Sequence, residues 1–248
     1  EGLVQRGHAV TILTTSLEPH LEMHRVENGV SIHYLPVPHP GRYSPEFRRD
    51  SAARFQELHE RRPFDVVWSE SLGALGYIEA LKEEQRIPLF SILQGSLQGT
   101  VTTIFRAAST RFRGGYSVLR SAPMLVRQYF QWYRPVYRAS RILVCPSPQN
   151  RREIARECPS VRSRLFTSVN GIDVDVFRPD EELRRQGRRR LGLEAEQFLI
   201  LNVGRLTSDK GVDILIRAMD RCRSKIPRAV VAIAGVGGDR PRLEALAA

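Results

Sequence analysis

The sequence predicts an α/β protein of two doubly wound domains, the second incomplete, and three observations lead there. Short apolar runs rich in β-branched residues alternate with segments of helical period over most of the chain, which is the pattern of a parallel sheet covered on both faces. A polar stretch over 181–190, ending in Arg188, Arg189 and Arg190, interrupts that alternation, and the pattern then starts again. After the restart only two strand-like runs remain, too few for an independently stable sheet.

Taken in order, EGLVQRGHAVTILTTS reads as a helix end closed by Gly7 and a strand over 9–14. A helix that feeds a strand so directly is the crossover of a βαβ unit, so the chain is expected to begin within a motif. Further strands are predicted at VSIHYL (30–35), DVVW (65–68), LFSIL (89–93), ILVC (142–145) and RLFTSV (164–169). Helices are predicted over 45–61, 72–84, 118–137 and 149–157. A linker at 176–180 divides a first domain, 1–175, from a second, 176–248. The second holds a strand over 198–203, a helix over 211–223, a strand over 229–234 and a helix begun by DRPRLEALAA. It is expected to be cut short.

Composition narrows the function classes. A chain of 248 residues with 42% apolar content can bury one large core or two smaller ones, which excludes a disordered protein. The net charge is +11, and only three of the 38 cationic residues are lysine. A basic nucleic-acid-binding protein is one reading of that charge, but the arginines are dispersed and no RNA- or DNA-binding motif is present. Cys145, Cys158 and Cys222 lack the spacing of a zinc site or a disulfide framework, and the six histidines lack metal-ligand spacing. A reducing, cytoplasmic setting is expected. No apolar run approaches the length of a membrane-spanning helix.

The chemistry concentrates in LILNVGRLTSDKGVDIL (199–215), where an apolar strand breaks at Gly204-Arg205 and a helical pattern resumes after Lys210-Gly211. Ser208 or Asp209 is expected to cap that helix, whose apolar positions Val212, Leu215, Ile216 and Met219 share one face. Loops at the carboxyl ends of strands are where open α/β sheets bind ligands. A helix N-terminus with an Arg fork and a Lys point charge suits a phosphate or diphosphate, although a solvated basic loop has the same composition. AGVGGD (234–239) joins another strand to a helix, but the third glycine of a dinucleotide fingerprint falls at Arg240, and a plain turn accounts for it equally. Asn170-Gly171 suits a left-handed turn. Residues 116–141 interleave Arg120, Arg127, Arg134 and Arg138 with Tyr129, Phe130, Trp132, Tyr133 and Tyr137, a composition that fits an anionic membrane interface or a helix packed on its own domain.

VGRLTSDKGVDILIRAM, with LVQRGHAVTILTT, DVVWSESLGALGY, SRILVCPS, SVNGIDVDVFRPD and VVAIAGVGGDRPRLEALA, resembles in order the family-four retaining glycosyltransferases of GT-B fold, two facing Rossmann-like domains. The resemblance implies transfer of a sugar from a nucleotide-diphosphate sugar to a glycan, lipid-linked or small-molecule acceptor, with retention of anomeric configuration. It implies that Arg205 and Lys210 hold the donor diphosphate and offset charge on the leaving group. It also implies that Gly204, Gly235 and Gly237 border the donor. On the acceptor side the candidates are Gln94, Gly95 and Glu70, the last of which reads equally as a surface carboxylate. Family members commonly carry His-Gly where this chain has Gln94-Gly95, and Gln94 can hydrogen-bond but cannot titrate. The family's glycine-rich first loop and paired glutamates would lie beyond the two ends of this sequence. No cofactor and no metal are implied. The competing enzyme reading is a sugar-nucleotide epimerase of similar fold, which the Arg205/Lys210 spacing disfavours.

Overall fold

The computed structural model describes residues 2–16, 23–36, 43–107 and 111–248. The chain divides into two compact units, residues 1–102 with 116–170 and residues 103–115 with 171–248.

The first unit contains two sheets. In one, β1 (Val10–Thr14) pairs in parallel with β3 (Val30–Tyr34), and β2 (His24–Glu27) adds antiparallel to the other edge of β3. The β2–β3 turn places Asn28 and Gly29 at φ 50° and 79°, the doubly left-handed geometry of a tight hairpin. The other sheet is wholly parallel, in the order β4 (Val67–Glu70), β5 (Leu89–Ile92), β6 (Ile142–Cys145), β7 (Leu165–Thr167). Its crossovers carry α3 (Leu75–Ala80), then α4 (Leu97–Ala107), α5 (Arg111–Gln128) and α6 (Arg134–Ala139), then α7 (Pro148–Glu157). Ahead of them stand α1 (Gly2–Gln5) and α2 (Pro45–Arg61). Both α2 and α7 begin at a Ser-Pro pair in which the serine Oγ accepts an amide of the first turn, Phe47 N–H for Ser44 and Asn150 N–H for Ser147. The core lies over the four-stranded sheet, with Leu75, Val136, Tyr137, Leu143, Ile154 and Val161 fully buried.

Several predicted elements are corrected. The helix expected over 72–84 stops at Ala80, where Leu81 turns extended, and a 3-10 turn follows at Glu83–Gln85. The single helix expected over 118–137 is two helices joined by a π turn at Tyr129–Tyr133. Pro135, which has no N–H to give the ladder, lies just beyond that turn. The polar stretch over 181–190 is a helix, α8 (Glu181–Arg190), capped by Asp180 accepting the Leu183 N–H at 2.8 Å.

In the second unit β8 (Phe198–Val203) and β9 (Ala229–Ala234) pair in parallel, with α9 (Val212–Cys222) between them and α10 (Arg240–Ala247) after them. A small core of Leu206, Val212 and Leu243, with Ile216 against it, joins the helices to the loops at the strand ends. Phe198, Leu201 and Val203 of β8 are exposed.

Candidate functional site

Two clusters form at the carboxyl ends of parallel strands, one in each unit. In the second unit the loop between β8 and α9 makes a 3-10 turn over Ser208–Lys210, and Gly211 takes the N-cap position of α9 at φ 66°. This corrects the expected cap. A left-handed backbone suits only glycine well, and the Asp209 carboxylate turns instead to the Thr207 hydroxyl and to the two cations. Arg205 Nη2 and Lys210 Nζ each stand 3.7 Å from Asp209 Oδ2. The Thr207 hydrogen bond, then the Asp209 backbone N–H and the charges of Lys210 and Arg205, hold the Asp209 carboxyl below its ordinary pKa against the opposing effect of burial. Among the described residues no side chain caps α9, and a helix start of this kind presents backbone amides that suit an anion.

The glycines of this unit do different things. A Cβ on Gly235 would lie 1.8 Å from Gly204 O, and one on Gly237 would lie 2.2 Å from Leu206 O. These two positions let the β9–α10 loop run directly against the Arg205 loop. Leu206 N–H accordingly donates to Val236 O at 2.9 Å, and Asp239 N–H to Leu206 O at 3.0 Å. At Gly204 an added Cβ meets no atom within 4 Å, so the chain's own packing does not call for glycine there.

In the first unit Glu70 is the last residue of β4, Gln94 follows β5, and Asn170 follows β7. Gln94 Nε2 donates to Glu70 Oε2 at 3.4 Å, and Asn170 Nδ2 donates to Gln94 Oε1 at 3.3 Å. The predicted acceptor-side residues therefore meet, and Asn170, for which a turn role was expected, completes the row. Nothing in the sequence pairs residues so far apart; only the parallel order of β4, β5, β6 and β7 brings them to one edge. Beside the row lies a cavity of about 220 Å³ lined by Tyr43, Ser71, Leu72, Leu93, Gly95 and Tyr133. Ser71 holds φ 50° there, a strained value for a residue other than glycine, and its N–H donates to Ile92 O at 2.7 Å.

The aromatic and basic segment sorts into an inner and an outer face. Tyr137 is fully buried, and Tyr129, Trp132 and Tyr133 pack against the core. Tyr116, Leu119, Met124, Val126 and Phe130 are exposed, with Arg134 5.7 Å over the Phe130 ring. Four of the five interleaved aromatics thus belong to the domain's own packing. Among the described residues no group of His, Cys, Asp and Glu has the arrangement of a metal site, and no helix is long and apolar enough to cross a membrane.

Residues 1–176 match the family model described as Glycosyltransferase Family 4, and residues 184–248 match that described as Glycosyl transferases group 1. The chain is 40% identical over 76 residues to a GDP-mannose-dependent alpha-(1-6)-phosphatidylinositol monomannoside mannosyltransferase of Mycolicibacterium smegmatis, an alignment covering 31% of this chain and 19% of that protein. It is 32% identical over 120 residues to a D-inositol 3-phosphate glycosyltransferase of Xylanimonas cellulosilytica, covering 45% and 28%. Among solved structures it superposes on a sucrose-phosphate synthase from Thermosynechococcus elongatus with a TM-score of 0.68 at 19% identity, covering 99% of this chain and 59% of that one, which shows a shared fold. The chain thus spans less than two thirds of each of these proteins. With the family-four model matching most of its length and the group 1 model matching the rest from residue 184, the chain belongs to the family-four, group 1 glycosyltransferases and has their α/β, Rossmann-like GT-B fold.

Proposed function

We propose that the protein containing this chain transfers a sugar from a nucleotide-diphosphate donor to an acceptor hydroxyl with retention of anomeric configuration. Residues 1–175 form the acceptor side and residues 176–248 begin the donor side. One observation carries the reading: Arg205 and Lys210 bring their charged heads to a single point before an uncapped helix. That is the arrangement a diphosphate needs. The side chains of Arg205 and Lys210 are 71% and 46% exposed, and ion pairs this open contribute at most about 1 kcal/mol. Their exchange from Asp209 to a diphosphate therefore costs little. As the sugar departs, charge grows on the diphosphate, and the two cations stabilise it more strongly than they stabilise the bound donor. This chemistry calls for no cofactor, because the donor carries its own leaving group. Gly204, Gly235 and Gly237 line the approach by letting backbone, not side chains, stand there.

On the acceptor side Gln94 and Glu70 would orient a hydroxyl at the mouth of a cavity with room for about one ring. We take that acceptor to be a hydroxylated ring, free or lipid-linked, in keeping with what the names of the two relatives say of them. A second reading, contact with an anionic membrane at the cytoplasmic face, is favoured by the exposed apolar and arginine-bearing side of α5. Family membership sets aside the epimerase and the nucleic-acid-binding protein.

The full-length protein titrated with GDP and UDP should bind at least one of them, and Lys210→Ala should weaken that binding. Incubated with GDP-mannose or UDP-glucose and D-inositol 3-phosphate, it should give a glycoside whose anomeric signal matches the donor's. Failure of both nucleotides to bind the folded wild type would reject the reading.

A further inference from the structure

Helix α7 carries Glu153 and Glu157 one turn apart, and both carboxylates end at the start of α4. Ser96 stands just ahead of α4 and is buried. Its Oγ accepts the Gly99 N–H at 2.9 Å and donates to Glu153 Oε2. The other oxygen of Glu153 accepts from Gln149 Nε2 at 2.9 Å. Glu157 Oε1 accepts the Gln98 N–H at 2.6 Å, and the Leu97 N–H also hydrogen-bonds this carboxylate. Glu157 Oε2 accepts the Tyr137 hydroxyl at 3.2 Å, and the Glu157 carbonyl accepts the Tyr129 hydroxyl at 2.6 Å. Three amides that a helix start leaves unpaired are thus taken by side chains, two of them, those of Gln98 and Leu97, by the carboxylate of the distant Glu157.

Withdrawing two carboxylates from water is unfavourable unless each is well hydrogen-bonded. Burial does push the Glu157 carboxyl above its ordinary pKa, against the pull of the amides and the Tyr137 hydroxyl. Ser96 alone is a sufficient N-cap for a helix, so the pair does more than start α4. What it fixes is the short turn between β5 and α4. At its other end Leu93 N–H donates to Val144 O at 2.8 Å. In its middle an added Cβ on Gly95 meets nothing within 4 Å, so local packing does not hold the turn there. Gln94 and Gly95 are suspended between those two anchors.

We infer that Glu153 and Glu157 are positioning residues, which fix the start of α4 and so keep Gln94 between Glu70 and Asn170 and Gly95 at the cavity wall. The inference rests on the acceptor-side reading of Gln94 given above. Neither glutamate touches the cavity; each acts through α4.

The test is amide hydrogen exchange on the full-length protein, with steady-state kinetics using GDP-mannose and D-inositol 3-phosphate as probes. Glu157→Gln keeps the shape and removes the charge. It should speed exchange at Gln98 and Gly99 about tenfold or more while exchange in β6 stays unchanged. It should also raise KM for D-inositol 3-phosphate about fivefold or more, with GDP affinity within about twofold of wild type. Should that variant not fold, Glu153→Gln, which still offers Ser96 an acceptor oxygen, reads the same amides with a smaller change in the same direction. Unaltered exchange over 94–99 in either folded variant overturns the inference. Faster exchange with an unaltered KM upholds the anchoring and overturns the acceptor-side reading of Gln94 and Glu70.

Discussion

Arg205 and Lys210 converge on one oxygen of Asp209, and the functional reading turns on whether that convergence serves a ligand. If it does, removing either charge should act on the transition state more than on folding. Lys210→Ala should lower kcat by about 100-fold or more, since loss of one preorganised charge contact costs roughly 3 kcal/mol. Arg205→Lys should also be costly, because an ammonium cannot reproduce the bidentate fork. The two losses should be non-additive, as both groups act on one diphosphate. Measured in the full-length enzyme, a near-normal kcat in folded Lys210→Ala would return the pair to an ordinary basic loop. Lys210 stands out in the sequence because only three of the 38 cationic residues are lysine, whereas nothing in composition distinguishes Arg205 from the other arginines. The cap expected at Ser208 or Asp209 falls instead to Gly211, whose left-handed backbone leaves no mark in the sequence.

At the scale of elements, β6, β8, β9 and α2 lie where the sequence puts them; in β6 the apolar signal and the burial agree, whereas Phe198, Leu201 and Val203 of the equally apolar β8 are exposed. β2 was missed because every one of its residues is exposed, so it shows no alternation to read. Its signal was Asn28-Gly29, the strongest short-range mark of a hairpin. α4 is hidden for a different reason: LQGTVTTIFRA is rich in β-branched residues, and much of its start is supplied by α7. Close packing of elements gives a direct test. A Cβ on Gly76 would lie 1.9 Å from Arg48 O, so α3 approaches α2 only because residue 76 is glycine. Gly76→Ala should destabilise the fold by about 1–3 kcal/mol, lowering the melting temperature by roughly 3–10 °C; an unchanged melt would mean that the two helices separate freely.

A second test at this scale concerns the β2–β3 hairpin against α2. His33 is buried, its ring stacked on His24 with centroids 4.3 Å apart, and Arg54 Nη2 donates to its Nδ1 at 3.0 Å. Glu57 pairs with that same arginine. Nδ1 therefore carries no proton and the ring is neutral. Burial first, then Arg54 and His24, lower the His33 pKa from 6.5, with Glu57 opposing them. The unfolded ring takes up its proton near pH 6.5, whereas the folded ring does so only at lower pH. Stability should consequently fall as pH drops below 6.5, by up to about 1.4 kcal/mol per pH unit from this group. His33→Asn should flatten that slope between pH 6.5 and 5.5, even though it lowers stability at pH 7.5. An identical slope in the variant would assign the effect to other groups.

Over the whole molecule, the distribution of charge matters more than its sum. Residues 85–152 contain eleven arginines and no aspartate or glutamate, leaving 27 cations against 27 carboxylates elsewhere, so the entire net charge of +11 sits in this segment. Within it Tyr116, Leu119, Val126 and Phe130 are all exposed, Leu119 to 72%. At steps of three, seven and four they fall on one side of the helical path. Arg120 and Arg127 follow directly beside that stripe, and no carboxylate in the segment offsets them. An apolar stripe flanked by arginines suits a surface with acyl chains beneath anionic headgroups, because each component meets its complement at the right depth. The full-length protein should therefore sediment with vesicles of phosphatidylserine and phosphatidylcholine, bind phosphatidylcholine alone far less, and be released by salt. Replacing Arg120 and Arg127 together by Ser should weaken binding roughly 30-fold, at about 1 kcal/mol for each arginine near the surface. Phe130→Ser should weaken binding to both kinds of vesicle, because it removes the inserted ring and not the charge. Equal binding to neutral and anionic vesicles would leave the concentrated arginines without this role, and no binding to either would leave the exposed stripe to some partner other than lipid.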